Sequence, residues 1–501
     1  MKILLVYPQC PDTFWSFKHV LKFISKKAAF PPIGLLTVAA MLPKGWEKKL
    51  VDMNIASLSD KDIQWADYVF ISAMAVQKDS VRSVITRCNK WDTKIVAGGP
   101  LFTTGYKAFD RIDHFVLNEA EITLPLFLND LKNGRPKHIY TSDEWPDIRT
   151  TPIPSWELVD MKRYSSMSIQ YSRGCPFDCE FCDIVVLNGH VPRTKDNDQL
   201  LRELDALNNR GWRGGVFIVD DNFIGNKRKL KTEILPAIIG WMNKCHFPFS
   251  LFTEASINIS DDEELIRLMV KANFDMVFVG IETPNEESLT ECGKSQNMNR
   301  DLVASVKKLQ NHGLQVQGGF IVGFDNDPHT IFKNQIDFIQ KSGIVTAMVG
   351  LLNAPPGTKL YRRLKGEERL LEDFSGNNTD CSINFIPKMN YDALMNGYKE
   401  IISTIYAPRE YYERIKTFLR EFNPQRGKAF RLQSEHLRAF AISIWLLGLK
   451  EKGRRYYWRL LAWTLVRCPR SFPTSVTLAI YGFHFRRVVA SYTKASVRGN
   501  T

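Results

Sequence analysis

Three cysteines stand in one short run, Cys175-Pro-Phe-Asp-Cys179-Glu-Phe-Cys182, separated by three and then by two residues. The run follows an alternating apolar stretch, Met167-Ser-Ile-Gln-Tyr171, and a Gly174-Cys175 step. Three thiolates in one loop can hold three corners of an iron–sulfur cube and leave the fourth iron open to a substrate or cofactor. A structural zinc site asks for a fourth Cys or His close by, and His190 is eight positions on. A disulfide is a weak alternative, because the three residues crowd one turn and bond geometry limits which pairs can close. The other six cysteines (Cys10, Cys88, Cys245, Cys292, Cys381, Cys468) are scattered. They do not read as a disulfide framework and suit a reducing compartment. Downstream, polar residues recur where apolar runs end: Asp220-Asp221-Asn222, Thr253-Glu254, Glu282-Thr283, Gly323 with Asp325, and Asn353.

Strand and helix patterns alternate from 166 to 370. The candidate strands are Met167–Tyr171, Gly215–Val219, Phe249–Phe252, Met276–Ile281, Val316–Ile321 and Ile344–Leu351. Helical patterns such as Asp196–Asn208 and Arg300–His312 fall between them. Six such units make a partial (βα)6 barrel, whose chemistry collects at the carboxyl ends of the strands, where these polar residues fall. Residues 1–145 read as a doubly wound, Rossmann-like parallel sheet, with apolar runs Ile3–Tyr7, Lys49–Asp52, Tyr68–Ala73, Lys94–Ala97 and His114–Leu117. Ligands of such sheets lie beyond the strand ends. Those ends carry Ser72-Ala73, Gly98-Gly99-Pro100 and Asn118-Glu119-Ala120-Glu121. No G-x-G-x-x-G follows the first strand, so a dinucleotide is not favoured. Residues 146–165, with Thr151-Pro-Ile-Pro154, read as a linker, and 371–501 as an irregular helical region. The fold class is therefore α/β with a helical, basic C-terminal region.

The chain has 501 residues and 44% hydrophobic content, enough for about three domains. It opens as a strand, with no signal peptide expected. Its longest apolar run, near Ala439–Leu449, is too short to span a bilayer. The net charge of +13 is uneven: residues 408–501 hold 19 Lys/Arg against 5 Asp/Glu. Arginines there interleave with aromatics, as in Arg454-Arg-Tyr-Tyr-Trp-Arg459 and Tyr481-Gly-Phe-His-Phe-Arg-Arg487. A solvated, core-packed bundle is the plain reading. Basic amphipathic helices also suit a membrane interface, and aromatic-basic mixtures suit RNA. No RNA module is recognisable, so nucleic acid is not favoured. The expected location is cytoplasmic, with peripheral contact at the inner membrane face through 408–501.

The cysteine spacing, with Phe181 before the last cysteine, resembles the signature of the radical SAM (S-adenosylmethionine) superfamily. Together with Pro31-Pro32-Ile-Gly34-Leu35, Gly98-Gly99 and Glu119-Ala-Glu121, residues 1–145 resemble the cobalamin-binding domain of cobalamin-dependent radical SAM enzymes. The whole chain is similar to a bacterial group of these proteins related to hopanoid methylases. The resemblance implies a [4Fe-4S] cluster held by Cys175, Cys179 and Cys182. It implies SAM beside Phe181, Glu282 and Ile321 (in Gly319-Phe-Ile321-Val-Gly323), with Asp220 and Glu254 as further SAM-side candidates. It also implies cobalamin against Ser72, Gly98, Gly99 and Glu119. The D-x-H-x-x-G motif of cobalamin mutases is missing, His19 lacks its spacing and reads as structural, and the family's G-E-G-E run is Asn-Glu-Ala-Glu here. The implied activity is methylation of an unactivated carbon of a hydrophobic or lipid-like small molecule through a 5′-deoxyadenosyl radical. Two SAM molecules are used per turnover, and the electron donor is a protein such as flavodoxin or ferredoxin. The alternatives are a radical SAM cyclase or oxidoreductase without methyl transfer, and a non-catalytic iron–sulfur protein.

Overall fold

Alternating apolar patterns build two parallel sheets in the computed structural model, which describes residues 1–371, 374–377, 379–424 and 434–498. The first sheet comprises β1 (Lys2–Tyr7), β2 (Glu47–Asp52), β3 (Tyr68–Ser72), β4 (Lys94–Gly98), β5 (His114–Val116) and β6 (Ile139–Tyr140), in the order β2-β1-β3-β4-β5-β6. All its pairings are parallel. The continuous buried run Ile3–Val6 is what a strand covered on both faces needs. Leu4 and Val6 join Val81, Val84 and Cys88 of the helix Lys78–Lys90 on one side. Ile3 and Leu5 join Leu35 and Ala39 of the helix Ile33–Met41 and Phe127 of the helix Ala120–Lys132 on the other. The two-residue edge strand β6 is too short for a periodic signal, and the sequence pattern does not show it.

The second sheet begins with β7 (Ser166–Ile169). Next comes a small antiparallel pair, β8 (Ser172–Arg173) and β9 (Arg193–Thr194), which brackets the cysteine run and which the sequence pattern also misses. The sheet continues with β10 (Gly215–Ile218), β11 (Ser250–Glu254), β12 (Phe274–Glu282), β13 (Gln315–Val322) and β14 (Ala347–Leu351), in the order β14-β13-β12-β11-β10-β7. Residues Met167, Ile169, Val216, Ile218, Leu251, Val277 and Val279 are buried beneath the outer helices. Alternation then turns Phe217, Phe252, Phe278 and Met348 to the inner face. Thr253 and Glu254 lie within β11 rather than after it. Glu282 ends β12 at a bulge, with φ +62°.

Residues 146–165 are a packed connection rather than a free linker. They form short 3₁₀ turns at Ile148–Thr150, Trp156–Leu158 and Met161–Arg163. Trp156 and Tyr164 are fully buried. The Tyr164 hydroxyl donates to Asp52 Oδ2 at 2.9 Å, fastening this connection to the end of β2.

The basic tail is partly core and partly surface. Its helices include Tyr391–Ile405, Pro408–Glu421, Ser434–Ser443, Arg454–Arg467 and Phe472–Arg498. Tyr411, Tyr412, Tyr457 and Phe485 are buried, whereas Trp445, Leu449, Trp458, Leu465 and Val466 are exposed. Arg414 is itself buried and donates to Ile405 O at 2.8 Å and Gln340 Oε1 at 2.6 Å, tying the tail to the barrel helix Ile331–Ser342 between β13 and β14. Among the described residues, no helix is long and apolar enough to cross a membrane. Residues 425–433 and 499–501 of the basic stretch lie outside the described residues.

Replacing Tyr164 with Phe removes one donor from the buried Asp52 carboxyl, a loss worth about 1–3 kcal/mol. A lower unfolding temperature in differential scanning fluorimetry is expected for Y164F and not for the exposed-site control Tyr391→Phe.

Candidate active site

The cysteine run leaves the barrel through a turn that only glycine permits. Gly174 has φ +97°, and a Cβ there would stand 2.8 Å from the Val191 carbonyl oxygen. The loop is then held from two sides. The Glu180 N–H donates to Cys292 O at 2.9 Å, and the Leu360 N–H donates to Glu180 O at 2.9 Å. Arg363 grips the Glu180 carboxylate with both arms, Nε–Oε1 at 2.6 Å and Nη2–Oε2 at 3.1 Å. Lys359 pairs with Asp178. The helix Lys359–Gly366, which follows the last strand, therefore positions the loop that follows the first.

Cys175, Cys179 and Cys182 are all free and half-buried. Asn222 Nδ2 donates toward Cys175 Sγ at 3.9 Å, and Gln296 Nε2 toward Cys179 Sγ at 3.6 Å. Donors aimed at sulfur are among the contacts that set an iron–sulfur cluster's potential. Burial pushes the Cys175 and Cys182 thiols up, and ligation would displace those protons. Among the described residues, no three Cys, His, Asp or Glu side chains converge as ligands of a single metal ion would. A cube needs no such convergence, since each iron takes its own thiolate. The donor set thus fits a cluster with one open iron.

A cavity of about 460 Å³ adjoins the loop. Its lining includes Phe181, Cys182, Phe278, Glu282, Ile321 and Asn353. Glu282 makes an ion pair with the buried Lys294, whose ammonium lies 5.9 Å over the Phe181 ring. Both side chains fold over Gly280, where a Cβ would stand 2.7 Å from Lys294 Nζ. Gln335 Nε2 donates to Ile321 O at 2.7 Å and Glu282 O at 3.1 Å, locking the ends of β12 and β13 together. A carboxylate, an ammonium and a ring beside one cavity suit a zwitterion joined to a flat base, which is the shape of SAM.

The acidic residues divide. Asp220 is a correction to the SAM-side expectation. It is buried and accepts from the Tyr171 N–H at 2.8 Å and the Ser172 hydroxyl at 2.6 Å, so both its oxygens fasten the end of β7 to the end of β10. Its neighbour Asp221 faces a cavity instead and accepts from Asn188 Nδ2 at 2.9 Å. Glu254 makes no hydrogen bond among the described residues. Burial, and then the charges of Asp221 and Asp220, push its carboxyl up to about 8. Asp325 is turned away into a cluster with Arg363 and Arg369.

The second cavity, about 380 Å³, lies beyond the carboxyl ends of the first sheet. Ser72, Gly98, Gly99 and Glu119 all line it. A Cβ on Gly98 would stand 2.6 Å from Val116 O, and one on Gly99, where φ is +89°, 2.7 Å from Ser72 Oγ. The two glycines therefore leave a bare floor that any side chain would disturb. Asn118 takes φ +59°, the left-handed turn that glycine would otherwise supply. No described histidine lines this cavity. His19 sits 5.5 Å from the His484 ring, where burial lowers its pKa. The open floor fits the face of a corrin.

The Glu119 carboxylate is also held by two arginines. Arg193 Nη1 donates to it at 3.0 Å, and Arg173 also pairs with it. Arg173 reaches Glu121 at 2.8 and 3.0 Å as well. These contacts lock the first sheet onto the β8–β9 pair. As a result the two cavities adjoin, with Pro100, Ile184 and Leu187 lining both. Sequence reasoning missed Arg173 and Arg193, whose partners lie 52 to 74 positions away, and Lys294, whose partner Glu282 lies 12 positions back across the helix Glu286–Glu291. Asp221 was visible within the acidic run, but nothing there distinguished its direction from that of Asp220.

Glu254 has a folded-state pKa of about 8, above its ordinary value of 4.5, so its contribution to stability is complete below pH 4.5. It is lost as pH rises through about 8. Chemical denaturation from pH 5 to 9 should therefore show stability falling with pH, and falling less steeply in Glu254→Gln.

Residues 169–339 match the radical SAM superfamily, residues 24–128 the B12 binding domain, and residues 358–496 a domain of unknown function, DUF4070. The chain is 42% identical over 490 residues to an uncharacterized methyltransferase of Synechocystis sp. (strain PCC 6803), covering 97% of this chain and 91% of that one. It is 32% identical over 479 residues to the hopanoid C-2 methylase of Rhodopseudomonas palustris (strain TIE-1), covering 93% and 90%. Its fold is that of the cobalamin-dependent S-adenosylmethionine radical enzyme OxsB solved with aqua-cobalamin and S-adenosylmethionine (TM-score 0.62, 15% identity, covering 100% of this chain and 81% of that one). It is also that of the radical S-adenosylmethionine methyltransferase TsrM from Kitasatospora setae solved with cobalamin and a [4Fe-4S] cluster (TM-score 0.60, 13% identity, covering 96% and 99%). Its cofactors are accordingly a [4Fe-4S] cluster, SAM and cobalamin. With two domains of this kind and full-length relatives that are methylases, the chain belongs to the cobalamin-dependent radical SAM methyltransferase family.

Proposed function

We propose that this enzyme methylates an unactivated carbon of an apolar, lipid-like molecule held between its two sheets. The observation that carries this reading is the shared wall of Pro100, Ile184 and Leu187, with Cys182 at the edge of one cavity and the Gly98-Gly99 floor in the other. A carbon placed between them is within reach of both. When bound, the cofactors supply hydrogen abstraction and a transferable methyl group.

The chain's own residues orient and enclose. Cys175, Cys179 and Cys182 hold the cluster, and Arg363 keeps their loop in place through Glu180. Glu282 and Lys294 take the amino and carboxylate ends of SAM, while Phe181 and Ile321 flank its base. Glu254, protonated at neutral pH, adds no charge beside Asp220 and Asp221 at the end of β11. Ser72, Gly98 and Gly99 support the corrin, and Glu119 acts through its arginines by fixing the sheet that carries it. The substrate side of the cavity is apolar, with Phe278, Met348 and Leu352 in its wall. A single-electron donor such as flavodoxin or ferredoxin completes the cycle.

An apolar substrate has to be collected from a membrane, and the tail has a surface for that. Trp445, Leu449 and Trp458 are exposed near one another, with the Trp458 Nε1–H donating to Gly448 O at 2.9 Å. Lys450 stands 4.7 Å over the Trp445 ring. Arg454, Arg455 and Arg459 are exposed on the adjoining helix. Rings at the acyl boundary with cations among head groups fit an anionic bilayer, each cation adding about 1 kcal/mol near the surface.

Anaerobically reconstituted protein should cleave SAM to 5′-deoxyadenosine, and lipid extracts of a producing strain should contain a methylated species absent from a strain lacking the protein. Cys175→Ala, Cys179→Ala or Cys182→Ala should each abolish both results. Cys245→Ala should leave the iron spectrum unchanged. Cleavage without any methylated product would leave the radical chemistry and remove the methyl transfer.

Liposome co-sedimentation tests the surface. Binding should need anionic lipid, weaken with salt, and fall at least five-fold in a Trp445→Ser/Trp458→Ser variant. Equal recovery in the supernatant with neutral and anionic vesicles would sink the membrane reading.

A further inference from the structure

The six-stranded sheet is an open barrel. Its edge strands β14 and β7 do not pair with each other, and the segment from Phe14 to Phe30 crosses the gap between them. At one edge, Trp15 Nε1 donates to Met348 Sδ of β14 at 3.0 Å. The Trp15 ring also meets Phe278 of β12 edge-on, 5.4 Å between centroids. At the other edge, the N–H groups of Ser165 and Ser166 donate to Ala28 O and Ala29 O, each at 3.0 Å, so the segment continues the sheet beside β7. The Phe30 ring lies 5.3 Å from Phe217 and 6.1 Å from Phe252, on the inner faces of β10 and β11.

The segment is firmly backed. Phe14 stacks on Phe485 at 4.3 Å, and Phe14 O lies 2.9 Å from the buried His484 Nε2. Phe23 meets Phe483 edge-on. The helix Phe472–Arg498 thus presses the segment against the opening.

The enclosed face is aromatic. Phe217 and Phe252 stack at 5.1 Å, and glycines leave room for the rings. A Cβ on Gly215 would stand 3.2 Å from the Phe252 ring, and one on Gly319 2.8 Å from Phe278 Cζ. Trp15, Phe30, Phe217, Phe252 and Phe278 all remain only half-buried in spite of these contacts, which is how side chains bordering free space behave. Phe278 and Met348, both touched by Trp15, are wall residues of the cavity beside the cysteine loop.

We propose that the segment Phe14–Phe30 is the closing wall of the substrate chamber, and that Trp15 determines how deep an uncharged, apolar portion of the substrate can enter. This rests on the reading that the 460 Å³ cavity receives substrate. Trp15 acts as a positioning residue, through Phe278 and Met348. Its indole N–H is occupied by the Met348 sulfur and its ring meets Phe278, so it backs both wall residues without a free donor. Shortening Trp15 frees both neighbours to retreat and deepens the chamber, whereas enlarging Met348 fills it.

Equilibrium dialysis of the full-length holoenzyme against two uncharged ring probes tests this: 1-aminoanthracene, with three rings, and 1-aminopyrene, with four. Wild-type protein should bind aminoanthracene saturably, and Met348→Trp should weaken that binding at least ten-fold. Trp15→Ala should bind aminopyrene at least ten-fold more tightly than wild type, with Trp15→Phe in between. Equal affinities of wild type, Trp15→Phe and Trp15→Ala for both probes, or aminoanthracene binding indifferent to Met348→Trp, would overturn the proposal. If circular dichroism shows Trp15→Ala unfolded, the comparison is made with Trp15→Phe and Phe30→Leu, and unchanged aminopyrene affinity in both overturns it equally. SAM cleavage by the same wild-type preparation is measured separately. Its loss would count against the functional reading and leave the probe result standing.

Discussion

The arrangement depends on one buried ionic knot. Glu119 and Glu121 stand at the start of a helix on the first sheet, and Arg173 and Arg193 stand on the two short strands beside the cysteine loop. Burial alone would raise the Glu121 carboxyl, yet the Arg173 hydrogen bonds and charge hold it below its ordinary value. A buried ion pair is weak evidence of stability, because desolvation offsets most of the attraction. Its geometry is another matter. Four side chains with fixed hydrogen-bonding directions admit few relative positions of the two sheets, and the position they admit makes the two cavities share a wall.

The same logic governs the cysteine loop. A run of residues with three thiols has little intrinsic shape, so its shape comes from outside. Arg363, Lys359 and the Leu360 N–H reach it from beyond the last barrel strand, and the Cys292 carbonyl from beyond β12. Asn222 and Gln296 supply N–H groups toward two sulfurs. The loop is therefore built last in a structural sense, since it requires the barrel strands to be in place before its own contacts exist.

Openness of the barrel is the second constraint. These six strands do not close the sheet upon itself, and an unpaired edge exposes backbone donors and acceptors. The chain covers the opening with its own segment Phe14–Phe30, which also carries aromatic side chains into the interior. The tail helix Phe472–Arg498 covers that segment in turn, which accounts for the buried half of the tail's aromatics, while the Trp445 and Trp458 surface stays outside.

Much of this was legible in the sequence because it is local. Apolar alternation marked ten of the twelve strands of the two sheets closely and another, β14, with an early start; only the two-residue β6 escaped, since two residues carry no period. The cysteine spacing announced its own chemistry, and Gly98-Gly99 announced a bare floor. Direction was not legible. Asp220 and Asp221 are adjacent and chemically identical, and one is spent on Tyr171 and Ser172 while the other faces a cavity. Glu119 lines the cavity, but that two arginines 54 and 74 positions away also hold its carboxylate was not legible. Lys294 and Trp15 carried no signal, because each matters only through a neighbour that the fold brings to it: Glu282, 12 positions back at a bulge, and Met348, 333 positions on. Composition, spacing and periodicity by themselves determined which elements form and that three thiolates could hold a cluster, while the resemblance to a known family implied SAM and cobalamin. Which side chains reach those cofactors, and which are consumed in holding the elements together, only the tertiary structure decided, because hydrogen bonds and ion pairs are satisfied by proximity in space and not along the chain.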